Sequence, residues 1–296
     1  MLKYFIILFI SFTQIGYAGH VKYGIPDHYT WSDPISALSS NGIPLSPIRK
    51  GLKELSLTAA YINVGEDDDD YASGVEKPLS DPKSTADGYG INVSWFEALG
   101  KNWGYSIILS HTPLHGDVVA LAKMDTNDET IEREYRAEID ATSTQALGLV
   151  VFDPLYNHES INTPIFIGAG LIQSDQKGSL IQDIDGTLYD WKASTEFLSV
   201  GLALGGAIQF NTGDFRWSPF LVAFAGTATP VYEVSVERAG NNDFTNNQES
   251  EFEVQYLGGI GLQYTPWGVS AKWTPNFFGH DQSLYTLSKT WTFDDN

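Results

Sequence analysis

Large apolar and small residues alternate along one stretch of the chain. Between Phe197 and Phe210 the even positions carry Leu198, Val200, Leu202, Leu204, Ile208 and Phe210, broken only by Gly206. The odd positions from Ser199 carry Ser, Gly, Ala, Gly, Ala and Gln. Side chains alternate faces in a strand, so this one has a large greasy face and a small, weakly polar one. A water-facing sheet surface would carry Lys, Glu and Thr, and here almost no charge appears. The pattern suits a strand with lipid on one side and a narrow, crowded lumen on the other.

Nine further stretches follow the same rule, most of them clearly. They are Leu52 to Val64, Gly88 to Trp95, Trp103 to Ser110, Thr142 to Phe152, Thr163 to Ile172, Phe215 to Thr227, Glu251 to Tyr264, Gly268 to Thr274 and Leu284 to Phe293. Phe215 to Thr227 is the least clear, because both of its faces are apolar. A strand of ~10 residues tilted near 40° covers roughly 25 Å, the height of the apolar band of a membrane barrel. The connections alternate in length. Gly100-Lys101-Asn102, Asn211-Thr212-Gly213-Asp214 and Thr265-Pro266-Trp267 are short, whereas Gly65 to Thr85, His111 to Ala141, Ser174 to Lys192 and Ala228 to Ser250 are long. Short periplasmic turns and long external loops are the habit of outer-membrane barrels. Asp153 to Asn162 is rather long for a turn, and the last external loop, near Gly279, is short.

The aromatics fall at strand ends. Trp95, Trp103, Phe210, Phe215, Trp217, Tyr264, Trp267, Trp291 and Phe293 adjoin short turns or the C-terminus, and Tyr61, Tyr89, Phe252, Trp273 and Tyr285 lie at the opposite ends. Two membrane interfaces select two such rings. The reading is therefore all-β, an antiparallel up-and-down transmembrane barrel of ten strands over residues 51–293, with eight or twelve strands as alternatives.

The ends of the chain add a location. Lys3, the apolar run Tyr4 to Phe12 and the small residues of Gly16-Tyr17-Ala18 make residues 1–18 a signal peptide, cleaved before Gly19. The run is too short to span a membrane, and no later segment has the ~20 apolar residues of a transmembrane helix. Residues 19–50 are irregular, punctuated by Pro26, Pro34, Pro44 and Pro47, and read as a periplasmic lead or a plug. At the other end, Tyr285, Leu287, Trp291 and Phe293 resemble the C-terminal strand signal of bacterial outer-membrane proteins, which alternates apolar residues and ends in an aromatic. This chain departs from that signal at Lys289, a charge on the lipid face, and in the short tail 294–296 beyond Phe293. The resemblance implies the bacterial outer membrane, with its lipid and lipopolysaccharide and the barrel-assembly machinery as partners.

Charge narrows the partners further. The chain carries 37 acidic against 17 basic residues, a formal charge of −20, so it lacks the phosphate-neutralising surface of a nucleic-acid binder. There are no cysteines and hence no disulfide framework or thiolate metal site. Glu54, Arg216, Lys272, Glu251 and Glu253 fall on the lumen face, where opposite charges are expected to pair and obstruct the bore.

Candidate chemistry is sparse. His158-Glu159-Ser160 resembles the His-x-Ser-Asn motif of outer-membrane phospholipase A and of the lipid A deacylase of the PagL type, but Ile161 stands where their Asn belongs. Those enzymes work from the outer leaflet, and this stretch falls on the periplasmic side; a polar turn is the plain reading. His111, His115 and Asp117, where the third strand meets its loop, and His280-Asp281 in the last external loop make a His/Asp group resembling that of the ten-stranded omptin proteases. The paired-Asp element of that family maps to no position here, and surface polar residues are the default reading. Two acidic runs, Asp67, Asp68, Asp69 and Asp70 after Glu66, and Asp183 with Asp185, offer oxygen ligands for weak Ca²⁺ binding that would bridge to lipopolysaccharide phosphates. Neither run has the full calcium-loop spacing, and a solvated loop tip is the alternative.

The leading function is non-enzymatic: a structural or surface-interaction barrel with acidic external loops, room for at most a narrow pore, and an extracellular ligand as a further partner. An outer-membrane lipid or peptide hydrolase is the second reading and a small-solute channel the third. No cofactor is expected. Calorimetric titration with Ca²⁺ tests the acidic loops: heat beyond dilution is expected if they bind, and its absence removes the cation.

Overall fold

A computed structural model describes residues 43–64, 83–125, 130–156, 158, 160–184, 187–237, 244–247, 251–275 and 282–294. The barrel strands are β1 (Leu52–Val64), β2 (Lys83–Ala98), β3 (Trp103–Asp125), β4 (Thr130–Phe152), β5 (Ile165–Ile184), β6 (Thr187–Ala207), β7 (Phe215–Glu237), β8 (Glu251–Tyr264), β9 (Val269–Thr274) and β10 (Gln282–Asp294). Each pairs antiparallel with the next, and β10 pairs with β1 from Leu52↔Asp294 to Val64↔Gln282, so ten strands close on themselves. Short pieces Ile161–Asn162 and Gln209–Thr212 pair with each other at the short-turn end, and Phe244–Asn247 pairs with β7. The expected residues 1–42, the acidic run at Asp67 to Asp70, Asp185, His280, Asp281 and the last two residues lie outside the described set.

The strands exist because their faces meet two different apolar surroundings. On β6 and the residues just after it, Leu198, Val200, Leu202 and Ile208 are exposed, Leu202 by 63%, whereas Ser199, Ala203, Ala207 and Gln209 are buried. Leu57, Ile91, Val93, Ile107, Leu109, Val150, Ile167, Leu171, Ile260, Leu262 and Leu287 continue that band round the barrel. A soluble monomer does not carry so continuous an apolar exterior, and hydrocarbon is the solvent that fits it. Aromatic clusters mark both edges: Tyr61 lies 5.1 Å from Tyr89 and 6.3 Å from Tyr285 at one end, and Phe210 lies 4.6 Å from Trp217 at the other.

Lys289 points outward, as the alternation requires, but near the short-turn edge. It donates to the Trp267 carbonyl and lies 5.8 Å from the Trp291 ring centroid. A cation that reaches the interface in this way is much cheaper than one at the membrane centre. The C-terminal strand therefore keeps its register and runs on to Asp294.

Two expectations need correction. The long connections after Ser110 and Ser174 are mostly strand: β3 and β4 each run 23 residues and pair continuously from Trp103↔Phe152 to Asp125↔Thr130, while β5 and β6 pair out to Ile184↔Thr187. At ~3.3 Å per residue and a tilt near 40°, 23 residues rise roughly 55 Å, about twice the apolar band. Beyond the membrane the exterior meets water, so the greasy alternation that marks a strand disappears while the ladder continues. Among the ten barrel strands as described, β9 is the shortest, at six residues.

The second correction concerns the bore. Among the described residues, apolar packing fills much of it. Ile108, Leu147, Leu149, Val151, Phe166, Val222 and Phe224 are buried inside the cylinder. The small face of β6 is what makes room: a Cβ on Gly201 would meet Phe224 Cζ at 2.4 Å, and one on Gly205 would meet Phe166 Cζ at 2.6 Å. Hydroxyls occupy the opposite wall, where Ser56 Oγ lies 2.7 Å from Thr290 Oγ1 and Thr58 Oγ1 lies 2.8 Å from Ser288 Oγ. The seventh strand looked ambiguous for the same reason, since Phe220, Val222 and Phe224 pack inward while Phe215 and Trp217 face out.

Replacing Leu202 by Arg tests the assignment of the exterior. A charge at mid-height of the apolar band is expected to destabilise the barrel by about 2–4 kcal/mol in denaturant unfolding from lipid vesicles. A change below about 0.5 kcal/mol, typical of a watery surface, would place Leu202 outside hydrocarbon.

Candidate functional site

The described chain begins inside the barrel. Ile43 and Ile48 belong to the apolar cluster of the bore, and Leu45 is buried beside them. An irregular segment can be buried only if its backbone polar groups find partners. Glu54 on β1 supplies two: the Leu45 N–H donates to Oε2 and the Ser46 N–H to Oε1, each at 2.8 Å. Gln209 supplies a third by donating from Nε2 to the Pro44 carbonyl at 2.9 Å. Residues 43–48 are therefore strapped across the short-turn end of the bore by a lumen carboxylate and a lumen amide.

Beside this strap lies a small polar cavity lined by Leu45, Gln209, Arg216, Gln263, Ser270 and Lys272 among others. The strand register sets it out in two rows. Arg216 on β7, Gln263 on β8 and Ser270 on β9 are cross-strand neighbours, and Ser218, Gly261 and Lys272 form the next row. Arg216 is only 8% exposed, and its Nε donates to Asn211 Oδ1. Lys272 Nζ lies 5.6 Å from the centroid of the Phe220 ring. Glu54, Arg216 and Lys272 thus face the lumen as expected; the side chains of Glu251 and Glu253 lie outside the described residues.

The histidines at the far end stand on the outer wall, not in the bore. His111 Nδ1 lies 3.0 Å from Thr144 Oγ1, and His115 Nδ1 lies 2.6 Å from Asp140 Oδ1, with both partners of that second pair largely exposed. Asp87, exposed on β2, is the register neighbour of His115 on its other side. His111 and His115 are four residues apart on one strand face, roughly 13 Å, so they do not share a small ligand. Asp117 and Asp183 sit on paired strands, but their side chains are outside the described set. Asp140 and Thr144 escaped the sequence reading because cross-strand partners depend on register, which no local pattern reveals.

His158 and Ser160 occupy the turn after β4. Asp153 organises that turn by accepting the Leu155 and Thr163 N–H groups at 2.9 and 3.0 Å. His158 Nδ1 accepts the Ser160 and Ile161 N–H groups at 3.3 and 3.2 Å. This ring nitrogen is committed to the backbone, an arrangement that shapes a turn. Among the described residues no three His, Asp or Glu side chains gather as a metal site.

No family model matches the chain, and neither does any curated protein. Solved structures with similar architecture include the outer membrane protein OprG from Pseudomonas aeruginosa, at 12% identity over 83% of this chain and 98% of that one, with a TM-score of 0.38. Ail, the attachment invasion locus protein of Yersinia pestis, matches at 15% identity over 82% and 99%, with a TM-score of 0.28. The outer membrane protease OmpT from Escherichia coli matches at 12% identity over 82% and 96%, with a TM-score of 0.40. The fold itself stands on this chain's own closed pairing and apolar exterior: it is a transmembrane β-barrel of the outer-membrane kind.

The strap generates a prediction. Glu54→Ala leaves two buried N–H groups unpartnered, a loss of about 1–3 kcal/mol in local stability. Hydrogen exchange at the Leu45 and Ser46 amides is expected to accelerate by about tenfold or more, with Glu54→Gln intermediate because it keeps one acceptor oxygen. Unchanged protection in Glu54→Ala would mean that the carboxylate does not hold this segment.

Proposed function

We propose that this protein is a non-conducting barrel of the bacterial outer membrane whose role is structural or surface-interacting. The observation that carries the reading is the filled bore: Phe166 and Phe224 pack against glycines of β6, Leu147 and Leu149 against glycines of β5, and residues 43–48 close the short-turn end. Sealing the lumen removes the use to which a porin puts its interior. What such a barrel can still offer is the wall beyond the membrane, where β3 and β4 continue to Asp125 and Thr130. An acidic chain with a tall strand wall on one side and a short β9 on the other suits presentation of an edge and loops to an extracellular ligand. Export by residues 1–18, insertion by the barrel-assembly machinery, contact with lipopolysaccharide and a plugging role for the rest of the lead belong to this reading.

The hydrolase alternative has a narrower basis, the His115–Asp140 pair. Its outward direction at the edge of the lipid band does not bring a nucleophile to it among the described residues. Planar-bilayer recording is the experiment for the main reading. The refolded full chain is expected to insert without discrete conductance steps. Reproducible open levels from the unmodified protein would replace the closed barrel by a channel.

A further inference from the structure

On the lipid-facing side of the short-turn edge, three strands set a cation, an anion and a phenol in one row. The register places Lys53 on β1 beside Glu97 on β2, and Glu97 beside Tyr105 on β3. Alternation aims all three outward, since Leu57, Val93 and Ile107 on the same faces are exposed to the bilayer. The Tyr105 hydroxyl donates to Glu97 Oε2 at 2.8 Å. Two more groups act on that hydroxyl, Lys53 through its charge and Trp95 through a side-chain hydrogen bond. On the other side of Lys53 stands Phe293, its register neighbour, whose ring centroid lies 6.5 Å from that of Trp95. Lys53, Trp95, Glu97 and Tyr105 are each half-buried, so part of every side chain is open to the interface. Aromatic residues alone would anchor this edge, so a carboxylate held by a phenol beside a lysine needs another reason. It fixes a dipole of defined direction along the row. Lys289, the other outward strand cation of this edge among the described residues, has only Leu57 and Val269 as register neighbours.

We propose that this row binds the headgroup of a phospholipid that carries a primary ammonium, phosphatidylethanolamine, in the leaflet that faces the periplasm. Such a headgroup is itself an anion and a cation joined by a short linker. Cross-strand neighbours stand ~5 Å apart at Cβ, a spacing that lets the phosphate lie against Lys53 while the ammonium lies against Glu97. Neither residue has to lack a partner. The lipid dipole lies antiparallel to the Lys53–Glu97 dipole, and each charge gains a second neighbour of opposite sign. The ammonium brings N–H donors to a carboxylate, a charge-assisted contact. A choline headgroup brings no N–H donor, and a glycerol headgroup brings no positive charge. Trp95 and Phe293 supply the apolar wall for the first acyl methylenes. The inference does not depend on whether the bore conducts.

Native mass spectrometry of the full chain refolded in detergent reads the bound lipid directly. The probes are dioleoyl phosphatidylethanolamine, phosphatidylcholine and phosphatidylglycerol, each added at the same concentration. The unmodified protein is expected to retain the ethanolamine lipid about threefold or more over either of the others. Glu97→Gln keeps the shape and removes the charge, and the ethanolamine lipid is expected to fall to the level of the choline lipid. Lys53→Met is expected to lower the retention of all three, because all three carry the phosphate. Lys289→Met serves as the control and is expected to leave the ethanolamine-to-choline ratio unchanged. Equal retention of the ethanolamine and choline lipids by the unmodified protein overturns the proposal, whether or not any variant folds. So does stronger retention of phosphatidylglycerol, which would assign the edge to an anionic lipid, and so does an ethanolamine preference that survives Glu97→Gln.

Discussion

The need to pair every backbone N–H and C=O where water is absent governs this structure. In hydrocarbon an open sheet edge leaves a row of such groups unsatisfied at several kcal/mol each, so a sheet that enters the bilayer must close. The closing seam runs from Leu52↔Asp294 to Val64↔Gln282, along the whole of β1. The same demand reaches the turns. The Gly268 N–H donates to the Thr265 carbonyl and the Thr290 N–H to the Gly268 carbonyl, at 3.1 and 2.8 Å. Gly268 can serve there because its φ is +59° and because a Cβ would strike the Thr290 carbonyl at 2.3 Å.

Closure makes a cylinder, and a cylinder must then be filled or left open to water. Here the filling is divided by wall. Rings from β5 and β7 lie over the glycines of β6, so each large side chain is matched by an absent one on the neighbouring strand. The opposite wall uses hydroxyl pairs between β1 and β10. Dispersion contacts and small polar pairs thus do what a ring of buried ion pairs would do at a greater desolvation cost. Among the described residues, the lumen charges Glu54, Arg216 and Lys272 lie toward the short-turn end, where the carboxylate engages backbone.

The cores of all ten strands were legible in the sequence, and so were their faces, because two apolar surroundings impose a period of two that loops do not imitate. Trp95 with Phe293 and Phe210 with Trp217 were legible as edge markers for the same reason. Strand length was not. Above the bilayer the outer face of β3 and β4 need not be greasy, so the only signal that defined those strands stops near Ser110 and Thr142 while the ladder does not. The apolar half of the bore was half-visible: Ile108 and Phe166 stood on the nominally small face, and β7 was apolar on both faces. Those exceptions were the fill. A plug was one of two readings of residues 19–50, but the anchor of the strap at residues 43–48 left no trace, since Glu54 finds its partners in backbone groups that every residue carries.

That last point bears on how a site is recognised in such a barrel. Arg216, Gln263, Lys272 and Gly261 all read as lumen-facing from alternation alone, yet alternation assigns a face and not a neighbour. They become a site only through register, which places Gly261 opposite both Ser218 and Lys272 and sets Arg216, Gln263 and Ser270 side by side. A slip of one residue in β8 would turn Gly261 and Gln263 out toward lipid and bring Leu262 and Ile260 in. The apolar exterior of β8 therefore fixes the polar interior: the hydrocarbon that selects Leu262 for the outside also decides which donors face the cavity.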